Sequence, residues 1–181
     1  MVNVGVVGAS GYTGLELVKM LVTHDGFKLT YLATTTGDTM IEKMHPSLEG
    51  VISLPVEKAD ADAVAESCEL VFLALPHIAS MGFSKTLLEK GVKVVDLSAD
   101  YRLELDTYEA HYCDHEDKAH LPDATYALIE YYRDKLKSTN LAAGPGCYPT
   151  ATLLGILPFI PYLDTNAPLF VDAKSGVSGA G

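Results

Sequence analysis

Short apolar runs alternate along the chain with stretches whose apolar residues have helical spacing. The first run, VNVGVVG at 2–8, is rich in β-branched residues and predicts a buried strand. In the stretch at 12–24, apolar residues recur every three or four positions, at Leu15, Val18 and Leu21, which predicts an amphipathic helix. The same patterns predict further strands at 27–34, 51–54, 68–76, 92–98 and 140–146, and further helices at 61–67, 78–91 and 126–138.

This alternation of strands and helices indicates the fold class. Repeated strand–helix–strand units bury their apolar faces as parallel βαβ units, so we predict an α/β protein with a doubly wound, Rossmann-type parallel sheet at 1–146. A helix from Cys147 to about Pro158, then a strand entering a Gly/Ser loop at 168–181, predicts the beginning of a second, α+β domain at 147–181. Because nothing covers that strand, we expect this domain to be incomplete; the alternative is a single domain with a ragged tail.

Composition and charge exclude several classes of function. The net charge of -11 and the pI near 4.8 argue against a nucleic-acid partner, which needs a basic surface. No apolar stretch approaches the roughly 20 residues of a membrane helix, and the first ten residues lack the basic region of a signal peptide. Three cysteines without a CxxC pair are typical of a reducing compartment, so we expect a cytoplasmic protein.

A glycine loop follows the first predicted strand and opens the first helix. Glycines at 8, 11 and 14 let the backbone turn tightly and approach a pyrophosphate, which would lie on the helix N-terminus. The spacing is G-x-x-G-x-x-G rather than G-x-G-x-x-G, and the alternative is a purely structural turn. We assign cofactor contacts to Gly8, Ser10, Gly11, Tyr12, Thr13 and Gly14.

The residues after the second predicted strand bear on the choice of dinucleotide. An NAD site usually has a carboxylate here that binds the ribose 2′-hydroxyl. This chain has Thr34, Thr35 and Thr36, and no carboxylate before Asp38. Hydroxyls can bind a 2′-phosphate, which a carboxylate would repel. We therefore assign Thr34 and Thr35 to the cofactor and predict NADP rather than NAD.

Cys147 lies between two dipeptides that disfavour helix, at the start of a predicted helix. Gly144-Pro145-Gly146 precedes it, and Pro149 falls in the first helical turn, where a missing N–H costs nothing. Unpaired N–H groups at a helix N-terminus stabilise a thiolate, the nucleophilic form. We therefore predict that Cys147 is a nucleophile. The alternative, a small buried residue, is the interpretation we give to Cys68.

Five motifs in order resemble those of the N-acetyl-gamma-glutamyl-phosphate reductase family, within the aspartate-semialdehyde-dehydrogenase-like superfamily. The resemblance covers the whole chain but only about the N-terminal half of a family member. The motifs are GASGYTG at 8–14, FLALPH at 72–77, DLSADYRL at 96–103, PGCYPTA at 145–151 and VDAKSGVSGAG at 171–181.

The resemblance implies an NADPH-dependent reduction of a small acyl-phosphate substrate, through a thioacyl intermediate on Cys147. It places Leu75 and Pro76 on the nicotinamide side and implies that Lys174, Ser178 and Gly179 bind substrate or cofactor. It also implies a catalytic and dimerisation domain from 147 onward and a homo-oligomer at full length. The family's acid/base histidine would lie beyond residue 181, so we expect this stretch of chain to be inactive by itself.

Other residues leave alternatives open. Arg102 follows a strand end, and its guanidinium suits a phosphate or carboxylate of the substrate; the alternative is a buried structural salt bridge. His111, Cys113 and His115 do not have zinc spacing, so we predict no metal and read them, with the acidic run 114–117, as solvated surface. The family commonly has Asn where this chain has Gly144. The other functions considered are the lysine-pathway reductase of the aminoadipyl analogue and a non-catalytic dinucleotide-binding module.

Overall fold

The computed structural model describes the chain except Thr165 and Gly181, and of Ala180 only the backbone. Its eight strands and seven α-helices alternate along the chain. The strands are β1 Val2–Val7, β2 Phe27–Thr34, β3 Thr39–Met40, β4 Pro55–Lys58, β5 Leu70–Leu73, β6 Lys93–Asp96, β7 Thr125–Tyr126 and β8 Leu141–Ala143. The helices are α1 Tyr12–Val22, α2 Ile41–Met44, α3 Ala61–Ser67, α4 Ala79–Glu89, α5 Leu105–His111, α6 Ile129–Leu136 and α7 Cys147–Ile156, with 3₁₀ turns at Pro46–Leu48, Leu121–Asp123, Leu157–Tyr162 and Val177–Ala180.

All eight strands form one sheet, in the order β3-β4-β2-β1-β5-β6-β8-β7. Every pair is parallel except β3 with β4, which is antiparallel. The central strand β1 pairs with β2 on one side and with β5 on the other, so the chain reverses its direction of winding at β1. Such a reversal opens a crevice at the carboxyl ends of the strands, where open α/β sheets bind ligands.

Two apolar cores cover the two faces of the sheet. Successive residues of β1 belong to different cores, because side chains alternate across a strand: Val6 packs with α1 and α2, and Val7 packs with α3 and α4. Both valines are fully buried. Burial on both faces explains why β1 reads as a continuous apolar run rather than as an alternating one.

The structure changes three strand predictions: one strand is displaced, one is absent and one is shorter. The strand expected at 51–54 lies at 55–58 instead, because β4 pairs in register with β2, Leu32 opposite Val56, and Pro55 is tolerated as the first residue of a strand. The strand expected within 168–181 is absent from the part of the segment that is described. Residues 166–179 are all exposed there, and a strand without a neighbouring strand leaves its backbone groups unpaired. The strand predicted at 68–76 is shorter, at 70–73.

Within the described residues, no helix has the length and hydropathy that crossing a bilayer requires.

Candidate active site

Most of the predicted site residues up to Cys147 lie in or directly after loops that follow parallel strands, and these loops share one edge of the sheet. The glycine loop, residues 8–14, follows β1, and Thr35 follows β2. Leu75 and Pro76 follow β5, Arg102 follows β6, and Cys147 begins the helix after β8. Because the strands are parallel, their carboxyl ends meet at the same edge, and the topology brings these segments together.

The glycine loop packs backbone against backbone. Gly8 has a positive φ of 95°, and a Cβ there would lie 2.8 Å from the carbonyl carbon of Ala74 at the end of β5. A Cβ on Gly14 would lie 2.8 Å from the Cα of Ala9. The N–H of Gly8 donates to the carbonyl of Ala33 on β2, at 2.8 Å. Any side chain at these two glycines would therefore push the loop away from β1 and β5.

The N-terminus of α1 has free donors for an anion. Its N-cap residue, Gly11, is extended and makes no side-chain cap, so the first N–H groups of the helix lack intrahelical acceptors. A Cβ built on Gly11 would find no atom nearer than 3.9 Å, which leaves open space in front of the helix. This geometry fits the pyrophosphate of a dinucleotide. The sequence did not indicate that His45 contacts the glycine loop. Its Nε2 lies 2.7 Å from the carbonyl oxygen of Ala9, a hydrogen bond that supports the loop.

The two threonines assigned to the cofactor have different environments. Thr34 is buried, and its hydroxyl accepts the N–H of Gly37 at 3.0 Å, so it shapes the turn after β2. Gly37 has a positive φ of 64° and packs against the backbone of β4. Thr35 is exposed. Of the two hydroxyls, that of Thr35 is therefore the one available to a ligand.

The loop after β5 is tied to the loop after β6. Leu75 is half-buried and Pro76 is exposed, and the next residue, His77, accepts the N–H of Ala99 on Nδ1 at 2.9 Å. The N–H of Ile78 donates to both carboxylate oxygens of Asp100, at 3.1 and 2.9 Å. These contacts fix the segment that the family resemblance assigns to the nicotinamide.

A second buried carboxylate, Asp96, lies at the end of β6. The hydroxyls of Ser80 and Ser98 donate to it, the latter at 2.7 Å. Burial raises the pKa of the Asp96 carboxyl, and the serine hydrogen bonds offset part of that rise. The backbone carbonyl of Asp96 accepts the N–H of Gly144 at 2.7 Å, so the main chain at the end of β6 holds the loop that leads to Cys147.

Cys147 is the first residue of α7 and is exposed. The N-cap residue, Gly146, is extended and makes no side-chain cap, and the first turn holds no acidic residue. We call residues 144–147 the cysteine loop. Cys147 therefore lies at the N-terminus of α7, where the first N–H groups have no intrahelical acceptors. Cys68, in contrast, is buried, as predicted, and burial raises the pKa of its thiol.

Arg102 supports the cysteine loop from below. Its Nε donates to the carbonyl of Gly144 at 2.6 Å, and its Nη2 donates to the carbonyl of Leu97 at 2.7 Å. No ion pair of Arg102 occurs among the residues that the structure describes, so the alternative of a structural salt bridge is not supported there. Arg102 also lines a cavity of about 150 Å³, with Ala99, Leu103, Tyr112, Tyr126 and Pro149.

Three predicted residues lie in the exposed segment after α7. Lys174 forms an ion pair with Asp172, and the N–H of Gly179 donates to the carbonyl of Gly176 at 3.0 Å. Ser178 is exposed. The contacts described for this segment are local, and its assignment to substrate or cofactor stays a prediction.

The interpretation of the His- and Asp-rich segment as solvated surface is wrong for two residues. His115 and Asp117 are buried, because they support the loop after β6. The Nε2 of His115 lies 2.8 Å from the carbonyl oxygen of Asp100, and Asp117 accepts the hydroxyl of Tyr101 at 2.9 Å. Polar spacing in the sequence does not reveal which side chains turn inward.

Comparison with known proteins identifies the class to which this chain belongs. The family model described as semialdehyde dehydrogenase, NAD binding domain, matches residues 3–139, and the one described as semialdehyde dehydrogenase, dimerisation domain, matches residues 147–181. The chain therefore belongs to the semialdehyde dehydrogenase family. The first match supports a nicotinamide dinucleotide as the cofactor.

Curated relatives narrow this class. N-acetyl-gamma-glutamyl-phosphate reductase of Sulfurovum sp. (strain NBC37-1) is 82% identical over 181 residues, which cover 100% of this chain and 54% of that protein. The protein of that name from Wolinella succinogenes is 61% identical over 180 residues, 99% of this chain and 53% of that protein. The family resemblance drawn from the five motifs is confirmed. This chain spans about half the length of the curated relatives it matches.

Solved structures share the fold. Aspartate semialdehyde dehydrogenase with NADP from Candida albicans matches with a TM-score of 0.65 at 17% identity, over 90% of this chain and 47% of that chain. Aspartate semialdehyde dehydrogenase II from Vibrio cholerae, complexed with ASA, matches with a TM-score of 0.60 at 15% identity, over 89% of this chain and 47% of that chain. The predicted α/β class with a Rossmann-type sheet is confirmed.

Proposed function

We propose that this chain is part of an NADPH-dependent N-acetyl-gamma-glutamyl-phosphate reductase. The enzyme reduces an acyl phosphate to a semialdehyde and releases phosphate. The proposal rests on one observation. The exposed Cys147 begins α7 at the same edge of the sheet at which the glycine loop follows β1. The names of the curated relatives support the choice of substrate.

Cys147 is the nucleophile of the proposed reaction. Its thiolate attacks the acyl carbon, a carbon–sulfur bond forms, the carbon–oxygen bond to phosphate breaks, and a thioester remains on Cys147. The free N–H groups at the start of α7 stabilise negative charge at this point. Gly146 keeps the approach to the sulfur open, because it carries no side chain.

Arg102 is proposed to bind an anionic group of the substrate. Its Nε and Nη2 donate to the cysteine loop and to the carbonyl that follows β6. Among the residues that the structure describes, Nη1 has no acceptor. The cavity that it lines also contains Pro149, two residues after Cys147. A phosphate or carboxylate bound there would lie near the thiol, and the fixed guanidinium would orient it.

The glycine loop is proposed to hold the dinucleotide, with Leu75 and Pro76 beside the nicotinamide. A bound nicotinamide supplies the hydride that reduces the thioester. The exposed hydroxyl of Thr35 and the absence of a carboxylate among residues 34–37 favour NADP over NAD. Tighter binding of NADPH than of NADH to the full-length protein, measured by fluorescence titration, is the expected result.

We further propose a cytoplasmic homo-oligomer that serves arginine biosynthesis, with its second domain beginning at Cys147. The match of residues 147–181 to a dimerisation domain supports the homo-oligomer. The names of the curated relatives support the pathway.

The test is a Cys147→Ser substitution in the full-length protein. We expect kcat for N-acetyl-gamma-glutamyl phosphate to fall at least about 1000-fold, because a hydroxyl is a far poorer nucleophile than a thiolate, while NADPH binding is unchanged. Cys113→Ser is the matched control and retains activity. Turnover by Cys147→Ser at the wild-type rate would favour a non-catalytic role for this thiol. If the wild-type enzyme instead preferred the aminoadipyl analogue, that analogue would replace N-acetyl-gamma-glutamyl phosphate as the proposed substrate.

A further inference from the structure

The loop after β5 contains a strained residue that the proposed chemistry does not use. Ile78 has φ 74° and ψ −52°, the conformation of a classic γ-turn, which is rare for any residue and a genuine outlier for a β-branched one. It is also the N-cap of α4, where glycine, serine or aspartate would be the ordinary choice. Backbone strain of this kind persists only where the surrounding structure enforces it.

Asp100 enforces this conformation. Both of its carboxylate oxygens accept the N–H of Ile78, and Oδ1 also accepts the hydroxyl of Tyr108 at 2.8 Å. Asp100 is fully buried and has no ion pair among the described residues, so the partners described for its carboxyl group are hydrogen-bond donors. A buried carboxylate and a strained isoleucine both oppose folding, and they meet at one hydrogen-bonded junction.

The junction fixes the ring of His77 in one tautomer. The backbone N–H of Ala99 can only donate, so Nδ1 of His77 must be the acceptor in their 2.9 Å hydrogen bond. The neutral ring therefore carries its proton on Nε2. Nε2 is thus the ring nitrogen that can donate, and the hydrogen bond to Ala99 gives the ring a defined position although the side chain is exposed.

His77 contacts two residues that line the cavity of Arg102. Its ring packs edge-on against Tyr112, with centroids 5.7 Å apart, and its Nδ1 accepts the N–H of Ala99. Tyr112 and Ala99 both line the cavity, together with Arg102 and Pro149. His77 thus links the loop proposed to face the nicotinamide, through these two residues, to the cavity proposed to hold the substrate.

We propose that His77 donates a hydrogen bond from Nε2 to an oxygen of the acyl-phosphate substrate, and that Asp100 is the positioning residue that holds it there. The proposal rests on the proposed function. It adds a donor on the loop after β5 to Arg102 on the loop after β6, so that the substrate is held from two loops of the same sheet edge.

The two amide variants of His77 separate a donor role from a structural one. In His77→Asn the amide oxygen can replace Nδ1 as the acceptor for Ala99, but no donor reaches the position of Nε2. In His77→Gln the longer side chain brings its NH₂ to that position. In the full-length enzyme we expect His77→Asn to lower kcat/KM about 10- to 100-fold with an unchanged Kd for NADPH, as for loss of a hydrogen bond to a charged group, and His77→Gln to recover much of it.

Three outcomes would overturn the proposal. Full activity of His77→Asn would show that only the bond to Ala99 matters. Equal losses in both variants would show that no donor is needed at Nε2. A weaker Kd for NADPH with unchanged KM would move the contact to the cofactor. An inactive wild-type enzyme would instead refute the proposed function, so the two failures are distinguishable.

A double-mutant cycle tests the positioning role of Asp100. If Asp100 acts through His77, Asp100→Asn lowers kcat/KM in the wild-type enzyme but has little further effect in His77→Asn. Additive losses would mean that Asp100 affects catalysis by another route and would remove it from the proposal. Far-ultraviolet circular dichroism of each variant checks that the fold is retained.

Discussion

Two turns of this protein are built alike and packed differently. The glycine loop joins β1 to α1, and the cysteine loop joins β8 to α7. In both, the N-cap is an extended glycine without a side-chain cap, and no acidic residue occupies the first helical turn. Each helix therefore presents free N–H groups at the same edge of the sheet.

Their surroundings distinguish the two turns. In the glycine loop, a Cβ on Gly8 or Gly14 would collide with backbone, and α1 buries one face against the sheet. In the cysteine loop, a Cβ on Gly146 would meet the side chain of Arg102 at 3.1 Å, and α7 has no buried residue among those described. The glycine loop is thus crowded by main chain, whereas Gly146 in the cysteine loop is crowded by a side chain. Gly144, in the same cysteine loop, packs against the backbone at the end of β6. We infer that substitutions at Gly8 and Gly14 affect folding, and that a substitution at Gly146 affects chemistry.

Gly8→Ala is expected to have the largest effect on stability. The new Cβ overlaps the backbone of Ala74, and alanine disfavours a φ of 95°. We expect the free energy of unfolding to fall by about 3 kcal/mol, from overpacking together with backbone strain. Gly11→Ala is the control, because the atom nearest to its new Cβ lies 3.9 Å away. We expect this substitution to lower the free energy of unfolding by less than about 1 kcal/mol. Urea unfolding measures the stability of both variants. Equal losses of stability would contradict the expected difference between Gly8 and Gly11.

Gly146→Ala is expected to affect activity more than stability. Its Cβ would lie 3.1 Å from Nη1 of Arg102 and 3.3 Å from Cδ of Pro149, so the guanidinium must shift by a few tenths of an ångström. Because a small misplacement of a substrate-binding group slows catalysis, we expect kcat/KM of the full-length enzyme to fall about 10-fold. Gly155→Ala, on the same helix with nothing within 4 Å of its Cβ, serves as the control. A large loss of stability without loss of activity would reverse the distinction between the two turns.

A smaller effect is expected from the buried carboxyl group of Asp96 at the end of β6. Because burial raises the pKa of Asp96, the folded protein prefers the protonated carboxyl. The stability contributed by this group is fully present below the ordinary carboxyl pKa and is lost as the pH rises through the raised pKa of the folded state. Relative to Asp96→Asn, the wild type should therefore become less stable as the pH increases from about 4.

Urea unfolding between acidic and neutral pH tests this sign. Asp134→Asn, at an exposed position on α6, is the control and should show no comparable trend. A wild type that gains stability over Asp96→Asn with rising pH would mean that the serine hydrogen bonds outweigh burial.

The two turns also differ in how much of them was predictable. Both glycine patterns and the cysteine were evident, because glycine and proline at a strand–helix junction have local causes. The crowding partners were not evident. Ala74 and Arg102 approach these glycines only after β5 and β6 take their places beside β1 and β8. The inward turn of His115 and Asp117 escaped prediction for the same reason.

Local sequence determined the order and type of most elements, the parallel sheet and the position of Cys147 at a helix start, because periodicity and turn residues act over a few neighbouring residues. Only the tertiary structure decided that β4 begins at Pro55, that Arg102 holds the cysteine loop and that Asp100 holds Ile78 in a γ-turn conformation. These features depend on contacts between segments far apart in the chain, and such contacts leave no pattern in the residues on either side.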